Sequence, residues 1–193
     1  NQDLDNCKVP IILCNAYHLM IRPEQSLIEN AGGLNKFMNW TKPILTDSGG
    51  YQVFSLSNQN KVSKNGVEFK SPIDGTKLFM SPKKSIEIQL MLGSDIMMIF
   101  DECTPYPCNR DDTERSMELS LTWAEMSHKA NASEKPLFAI VQGGMYPDLR
   151  DISLKELIKH DFNGFALGGL SVGEPDHVRK EIVEQIAYKL PED

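Results

Sequence analysis

The stretch Pro43-Ile44-Leu45-Thr46-Asp47-Ser48-Gly49-Gly50-Tyr51-Gln52-Val53-Phe54 joins an apolar run of strand-forming residues to a polar turn that contains two glycines. A strand that ends in a carboxylate, a hydroxyl and glycines presents polar groups at a rim, because a continuing core would keep its apolar character. Glycine lacks Cβ, so a flat ligand is able to approach the backbone N–H groups there. The pattern predicts a binding site where this strand ends.

Four further apolar segments end in the same manner. The sequence predicts strands near 11–14, 43–46, 95–100, 137–141 and 164–167, and helices near 23–31, 82–92, 111–130, 148–160 and 177–189. The strands run into polar or glycine-containing clusters, which are Asn15-Ala16-Tyr17-His18, Asp47-Ser48-Gly49-Gly50, Asp101-Glu102-Cys103, Gln142-Gly143-Gly144 and Gly168-Gly169-Leu170-Ser171.

This alternation of strands and helices favours an α/β fold with a parallel sheet and crossover helices. Functional groups at the carboxyl ends of such strands are typical of a TIM (β/α)₈-type barrel, whereas a doubly wound sheet concentrates its glycines after the first strand and at a switch point. We predict a barrel of which only about five strand–helix units are present, so residues 1–193 form a single partial barrel domain.

An insertion interrupts the alternation after the Asp47 strand. The segments 61–64 and 67–70 flank Asn65-Gly66, which predicts a β-hairpin with a type I′ turn. Asp74-Gly75 marks a second turn.

Composition excludes several classes of protein. The formal net charge of −7 argues against a broad nucleic-acid-binding surface, which requires clustered lysine and arginine. No apolar run approaches the roughly 18–20 residues of a membrane span, and the amino terminus does not resemble a signal peptide, so we expect a cytoplasmic protein. The four cysteines match no zinc spacing, which predicts free thiols and no metal site in these residues.

Asp47 and Asp101 are the carboxylates best placed for chemistry. Each follows an apolar strand, and partial desolvation raises the pKa of a carboxyl group toward values that suit proton transfer. The alternative is that each caps a helix or fixes a turn. Tyr51 either stacks on a ring or packs at the rim, and Cys103 either lines a pocket or fills the core.

Gln142 and the Gly168-Gly169 pair are able to offer amide donors and acceptors to a planar ligand. Phosphate binding is the competing interpretation, because late barrel loops and helix amino termini often hold phosphate.

Several ordered segments resemble the tRNA-guanine transglycosylase (queuine tRNA-ribosyltransferase) family over essentially the whole chain. They are Asn15-Ala16-Tyr17-His18-Leu19, Leu45-Thr46-Asp47-Ser48-Gly49-Gly50-Tyr51-Gln52-Val53-Phe54-Ser55-Leu56, Ser71-Pro72-Ile73-Asp74-Gly75, Gly93-Ser94-Asp95-Ile96, Phe100-Asp101-Glu102-Cys103-Thr104-Pro105-Tyr106-Pro107, Val141-Gln142-Gly143-Gly144 and Gly168-Gly169-Leu170-Ser171-Val172-Gly173-Glu174. The family fold is a modified TIM barrel.

The resemblance implies exchange of guanine for a 7-deazaguanine at the wobble position of tRNA. It implies that Asp47 is the general base, that Asp101 and Gln142 read the edge of the purine, and that Tyr51 stacks on its ring. The Gly169 N–H and the Leu170 carbonyl would complete the cradle. Cys103 and the Ser48, Gly49 and Gly50 backbone would line the substrate site. The target nucleotide must then leave the stack of its anticodon loop.

The segment Phe100–Pro105 and Val172 resemble the bacterial branch. Val172 would fill the space that queuine needs, which favours the smaller 7-aminomethyl-7-deazaguanine (preQ1) as the incoming base. In the family, the nucleophilic aspartate and a zinc site lie downstream of the matched region, and neither motif is present in these 193 residues. We therefore expect this chain alone to be inactive and to carry no cofactor, and the full-length protein to be a homodimer.

Two alternatives stay open at this point. One is a non-catalytic accessory subunit of the same family that binds tRNA and a partner. The other is an unrelated phosphate-binding barrel enzyme.

Overall fold

The computed structural model describes residues 1–56, 60–133 and 135–192. Within these ranges it contains two sheets. The strands are β1 (Ile12–Asn15), β2 (Ile44–Asp47), β3 (Lys61–Ser63), β4 (Gly66–Lys70), β5 (Lys77–Met80), β6 (Ile96–Met98), β7 (Leu137–Val141) and β8 (Gly164–Leu167). The helices are α1 (Gln2–Asn6), α2 (Ala16–Ile21), α3 (Gln25–Asn30), α4 (Leu34–Met38), α5 (Gly50–Ser55), α6 (Pro82–Met91), α7 (Arg110–Ala130), α8 (Pro147–Leu157) and α9 (Asp176–Ala187).

The larger sheet is parallel, with strand order β1-β2-β6-β7-β8. Its register brings the carboxyl ends of neighbouring strands to one edge, as the pairs Asn15–Asp47 and Val141–Leu167 show. All five predicted strands are confirmed, and their sequential order is that of successive units around a barrel. Closure of the barrel stays a prediction, since β1 and β8 are edge strands of this sheet in the described part of the chain.

Local signals account for where the principal helices begin. Ser81 caps α6 by accepting a hydrogen bond from the Lys84 N–H at 3.0 Å, and Pro82 occupies the first turn. Asn109 caps α7 in the same way, accepting from the Asp112 N–H at 2.9 Å. Among the described residues, no helix is both long enough and apolar enough to cross a lipid bilayer.

The segment after β1 differs from its prediction as a polar rim. Asn15 is the N-cap of α2, and its side chain accepts from the N–H groups of Tyr17 and His18. Ala16 and Tyr17 are fully buried. The polar residues here begin a helix that turns back into the core, so this strand end differs from the other four.

The insertion is a three-stranded antiparallel sheet of order β3-β4-β5. Its first turn is Lys64-Asn65, and Gly66 already belongs to β4. The prediction of a type I′ turn at Asn65-Gly66 was wrong, because that turn requires positive φ at both central residues and Gly66 alone of these three has one, at 139°. A Cβ at Gly66 would lie 2.2 Å from the Met80 carbonyl oxygen, so the glycine admits β5.

One face of the insertion completes a hydrophobic core. Val67, Phe69 and Met80 are buried together with Phe100 and Trp123. The indole N–H of Trp123 also donates to the Lys64 carbonyl at 2.9 Å, which ties the first turn to α7. The insertion therefore packs against the core by one face and exposes the other.

Candidate functional site

A cavity of about 290 Å³ opens at the carboxyl ends of β2, β6, β7 and β8. The predicted site residues that line it are Asp47, Tyr51, Asp101, Cys103, Gln142, Gly169, Leu170 and Val172. Met98 and Ile140 also line the cavity and supply apolar surface. The fold thus collects residues from four separate sequence segments into one place.

Asp101 is a buried carboxyl group at one wall of the cavity. It is 7 % exposed, and the Gln142 amide Nε2 donates to its Oδ2 at 2.7 Å. Burial, with a smaller contribution from the nearby Asp47 carboxylate, raises the pKa of Asp101 to about 7 despite the opposing hydrogen bond from Gln142. The carboxyl therefore changes its protonation state near neutral pH.

Asp47 ends β2 and lies half-buried at the same cavity. Burial raises the pKa of Asp47, and the Ser48 N–H, which donates to its Oδ1 at 3.1 Å, partly offsets that effect. Two carboxyl groups with raised pKa values at one cavity are able to accept or hold a proton there.

Ser48, Gly49 and Gly50 are buried behind the cavity wall. The Ser48 carbonyl accepts from Ser85 Oγ at 2.9 Å, and a Cβ at Gly50 would lie 2.5 Å from the Asp101 carbonyl oxygen. Gly49 has φ of 88°, and a Cβ there would lie 2.7 Å from Tyr17 Cβ. The close approach that these glycines allow is to the protein itself, and their contact with a ligand stays a prediction.

The Gly168-Gly169 pair lies directly against Gln142. A Cβ at Gly168 would be 2.6 Å from Gln142 Nε2, and one at Gly169 would be 2.6 Å from Oε1. Gly169 also has a positive φ of 63°. Any larger residue would displace the amide that bonds to Asp101, so the glycines set the position of Gln142.

Arg150 supports the loops around the cavity, and it was not predicted from the sequence. Its side chain on α8 is fully buried and donates to the carbonyls of Gly144 at 2.8 Å, Val141 at 3.0 Å and Gly168 at 2.8 Å. Burial lowers the pKa of Arg150 to about 10, so it remains a cation at neutral pH. One guanidinium therefore ties the end of β7 to the end of β8.

Glu174 anchors the next loop and was also missed. Its carboxylate accepts from the N–H groups of Ser171 and Val172, and Ser171 has φ of 61°, which is unusual for a residue with a side chain. Burial acts to raise the pKa of Glu174, but these N–H donors outweigh it and hold the pKa below its ordinary value. From the sequence, neither residue was assigned a role, although Glu174 lies in a segment that resembles the family, because their partners are backbone groups that only the folded loops bring into reach.

Two further residues line the cavity with different exposure. Tyr51 is 45 % exposed, so one side of its ring is accessible. Burial, with a smaller contribution from Asp101, raises the pKa of the Cys103 thiol to about 12. The thiol stays protonated at neutral pH, which suits a lining group better than a nucleophile.

The side-chain amide of Gln89 on α6 fixes the floor of the cavity from behind. It accepts from the Met98 N–H and donates to the Met98 carbonyl, both at 2.9 Å, as a neighbouring strand would. Thr46 Oγ1 also donates to Gln89 Oε1 at 2.9 Å. The ends of β2 and β6 are thereby held in register next to Asp47 and Asp101.

The four cysteines all carry free thiols. Over residues 1–56, 60–133 and 135–192, no three His, Cys, Asp or Glu side chains are grouped so as to hold a metal ion.

Comparison with known proteins gives one consistent result. The family model described as queuine tRNA-ribosyltransferase matches residues 1–193. Curated relatives of that name come from Baumannia cicadellinicola (52 % identical over 100 % of this chain and 53 % of the relative), Thermoanaerobacter pseudethanolicus (53 %, over 100 % and 52 %) and Psychrobacter cryohalolentis (51 %, over 100 % and 51 %). The chain spans about half the length of these relatives.

Proposed function

Since the chain belongs to the queuine tRNA-ribosyltransferase family, we propose that it supplies the base-recognition site of an enzyme that exchanges guanine for a 7-deazaguanine in tRNA. The observation that carries this proposal is the Asp101–Gln142 pair, a hydrogen-bonded carboxylate and amide at one wall of a cavity that the Tyr51 ring also lines.

The hydrogen-bonding pattern of guanine fits this wall. The ionised Asp101 carboxylate accepts from the N1–H and the exocyclic amine, while the Gln142 amide and the Gly169 N–H donate to O6. The Leu170 carbonyl accepts from a donor on the opposite side of the base, and Tyr51 covers one face. A base that lacks these groups leaves buried polar atoms unpaired, which is the strongest source of discrimination available to such a site.

Asp47 is the proton acceptor in this scheme. Its raised pKa makes it a stronger base than an exposed aspartate, and it lies at the same cavity as the base-reading pair. We propose that Asp47 takes up the proton released by the incoming base. The nucleophile that attacks the ribose belongs to a motif absent from these 193 residues, so the chain alone binds the base and does not exchange it.

Calorimetric titration of the chain with preQ1, guanine, adenine and inorganic phosphate tests the proposal. We expect binding of preQ1 and guanine and none of adenine, whose N1 accepts and whose N6 donates. Binding of phosphate without preQ1 would instead support a phosphate-binding barrel and contradict the proposal.

Val172 supports preQ1 as the preferred incoming base, because its branched side chain lines the cavity beside the loop held by Glu174. Replacing Val172 with Gly is expected to raise queuine affinity about tenfold or more, by opening the space that the cyclopentenediol needs. Val172→Leu is the matched control and should lower it. Equal queuine affinity in all three proteins would contradict this role for Val172. Homodimer formation stays a prediction from the resemblance.

A further inference from the structure

Positive charge in this acidic chain is concentrated in the antiparallel insertion. Its residues 61–80 contain four lysines and two acidic residues, a net charge of +2, while the rest of the chain has 16 basic and 25 acidic residues, a net charge of −9. The insertion therefore carries a net positive charge, whereas the rest of the chain is net negative.

The register of the strands places these charges on one surface. Val67 and Phe69 of β4 are buried, so the alternating Glu68 and Lys70 point to the outer side. Lys61 and Phe79 lie opposite Glu68, and Lys77 lies opposite Lys70. We call the exposed residues Lys61, Lys64, Lys70, Lys77 and Phe79 the basic face.

The shape of the basic face also suits an anionic partner. Lys61, Lys70 and Lys77 line a depression of about 400 Å³, together with Asn60, Glu68 and Phe69. These lysines come from the three neighbouring strands β3, β4 and β5, so a polyanion seated in the depression would contact all three strands.

Nucleic acid suits this surface better than an acidic protein does. Phe79 is 52 % exposed among the lysines, and an exposed aromatic ring next to cations offers a stacking surface for a base. Phosphate contacts orient a nucleic acid, whereas base contacts read its identity, so a separate basic surface complements a cavity that reads one base.

The insertion packs against elements next to the cavity. The Asn60 side chain donates to the Val53 carbonyl in α5, the helix that also carries Tyr51, at 3.0 Å. The rings of Phe69 and Tyr17 lie 5.6 Å apart, which packs the insertion over the carboxyl end of β1. The cavity and the insertion therefore both lie at the side of the parallel sheet where the carboxyl ends of its strands are.

We propose that the basic face binds the phosphate backbone of the RNA whose base enters the cavity. This inference rests on the proposed function, and it places RNA contacts within this chain although its overall charge predicts none. Cavity and insertion then divide the task, since one reads a base and the other holds the strand.

The test measures binding of a short RNA stem-loop with guanine in its loop at several salt concentrations. The variant Lys64→Glu/Lys77→Glu reverses two charges of the basic face and leaves Lys61 opposite Glu68. Its control is Lys36→Glu/Lys155→Glu, which changes two exposed lysines in the last turns of α4 and α8, the helices that precede β2 and β8. Thermal unfolding and preQ1 titration verify that each variant is folded.

We expect Lys64→Glu/Lys77→Glu to bind the RNA about tenfold or more weakly and to lower the slope of log K against log salt by about 1.4 to 1.8. The control should stay within about twofold of the unsubstituted chain. The inference would be overturned if Lys64→Glu/Lys77→Glu bound the RNA with the same affinity and salt dependence as the unsubstituted chain. It would also be overturned if the control lost as much affinity as that variant, or if the chain bound anionic vesicles but not the RNA. In each of these cases, binding of preQ1 by the unsubstituted chain would still support the proposed function. Failure of the unsubstituted chain to bind preQ1 would refute the proposed function independently of the RNA result.

Discussion

The cavity and the basic face handle charge in opposite ways. The cavity is lined by two carboxyl groups, Asp101 buried and Asp47 half-buried, and the fully buried Arg150 guanidinium supports its loops. Burial shifts the pKa of all three groups. The basic face exposes its lysines on a sheet whose other face is packed into the core. Buried charges define a precise donor and acceptor pattern at the expense of stability, whereas exposed charges attract a polyanion with little effect on the fold.

This contrast predicts large effects on stability for cavity substitutions and small ones for the basic face. The largest loss of stability is expected for Arg150→Met, which leaves the carbonyls of Val141, Gly144 and Gly168 without their hydrogen-bond donor. We expect the free energy of unfolding to fall by about 3–5 kcal/mol, as measured by denaturant titration. Arg110→Met, which removes an exposed ion pair with Asp148, is the control and should have a much smaller effect. A similar loss in both would remove the distinction.

The next effect concerns pH and Asp101. Its pKa is about 7 in the folded protein and has the ordinary carboxyl value when unfolded, so between about pH 4 and 7 the folded state binds more protons. Stability should therefore fall as pH rises through this window, by up to about 4 kcal/mol from this group. Asp101→Asn should flatten the dependence and be the more stable protein at pH 8. A pH profile that the substitution leaves unchanged would contradict the assigned pKa.

The smallest effect on stability is expected in the insertion. Lys77→Glu places a carboxylate opposite Lys70 in the antiparallel register, so the free energy of unfolding should rise by about 0.2–1 kcal/mol while RNA binding weakens. Lys155→Glu, on α8, should give no such gain. A destabilised Lys77→Glu protein would show that the repulsion between the two lysines is not the relevant term.

The sequence predicted the cavity better than its supports. Asp47, Asp101 and Gln142 were found because each follows an apolar run, and the parallel register brings such strand ends together. Arg150 could not be found, since its partners are carbonyls brought near only by tertiary packing. The same limit applies to Gly168, whose absent side chain makes room for Gln142.

The insertion shows the complementary limit. Alternation and Asn65-Gly66 predicted a hairpin, but the third strand β5 and the position of the turn follow from the approach of Met80 to Gly66. The net charge of the whole chain also concealed the local excess of lysine. A charge count for each structural element would have found it.

The affinity of preQ1 between pH 6 and 8, in the unsubstituted chain and in Asp101→Asn, tests the central claim most directly. If the ionised Asp101 carboxylate, with its pKa of about 7, reads the base, the dissociation constant should rise about fivefold from pH 7 to pH 6, and Asp101→Asn should abolish both the binding and its pH dependence. Equal, pH-independent affinity in the two proteins would show that the cavity does not recognise the base through Asp101.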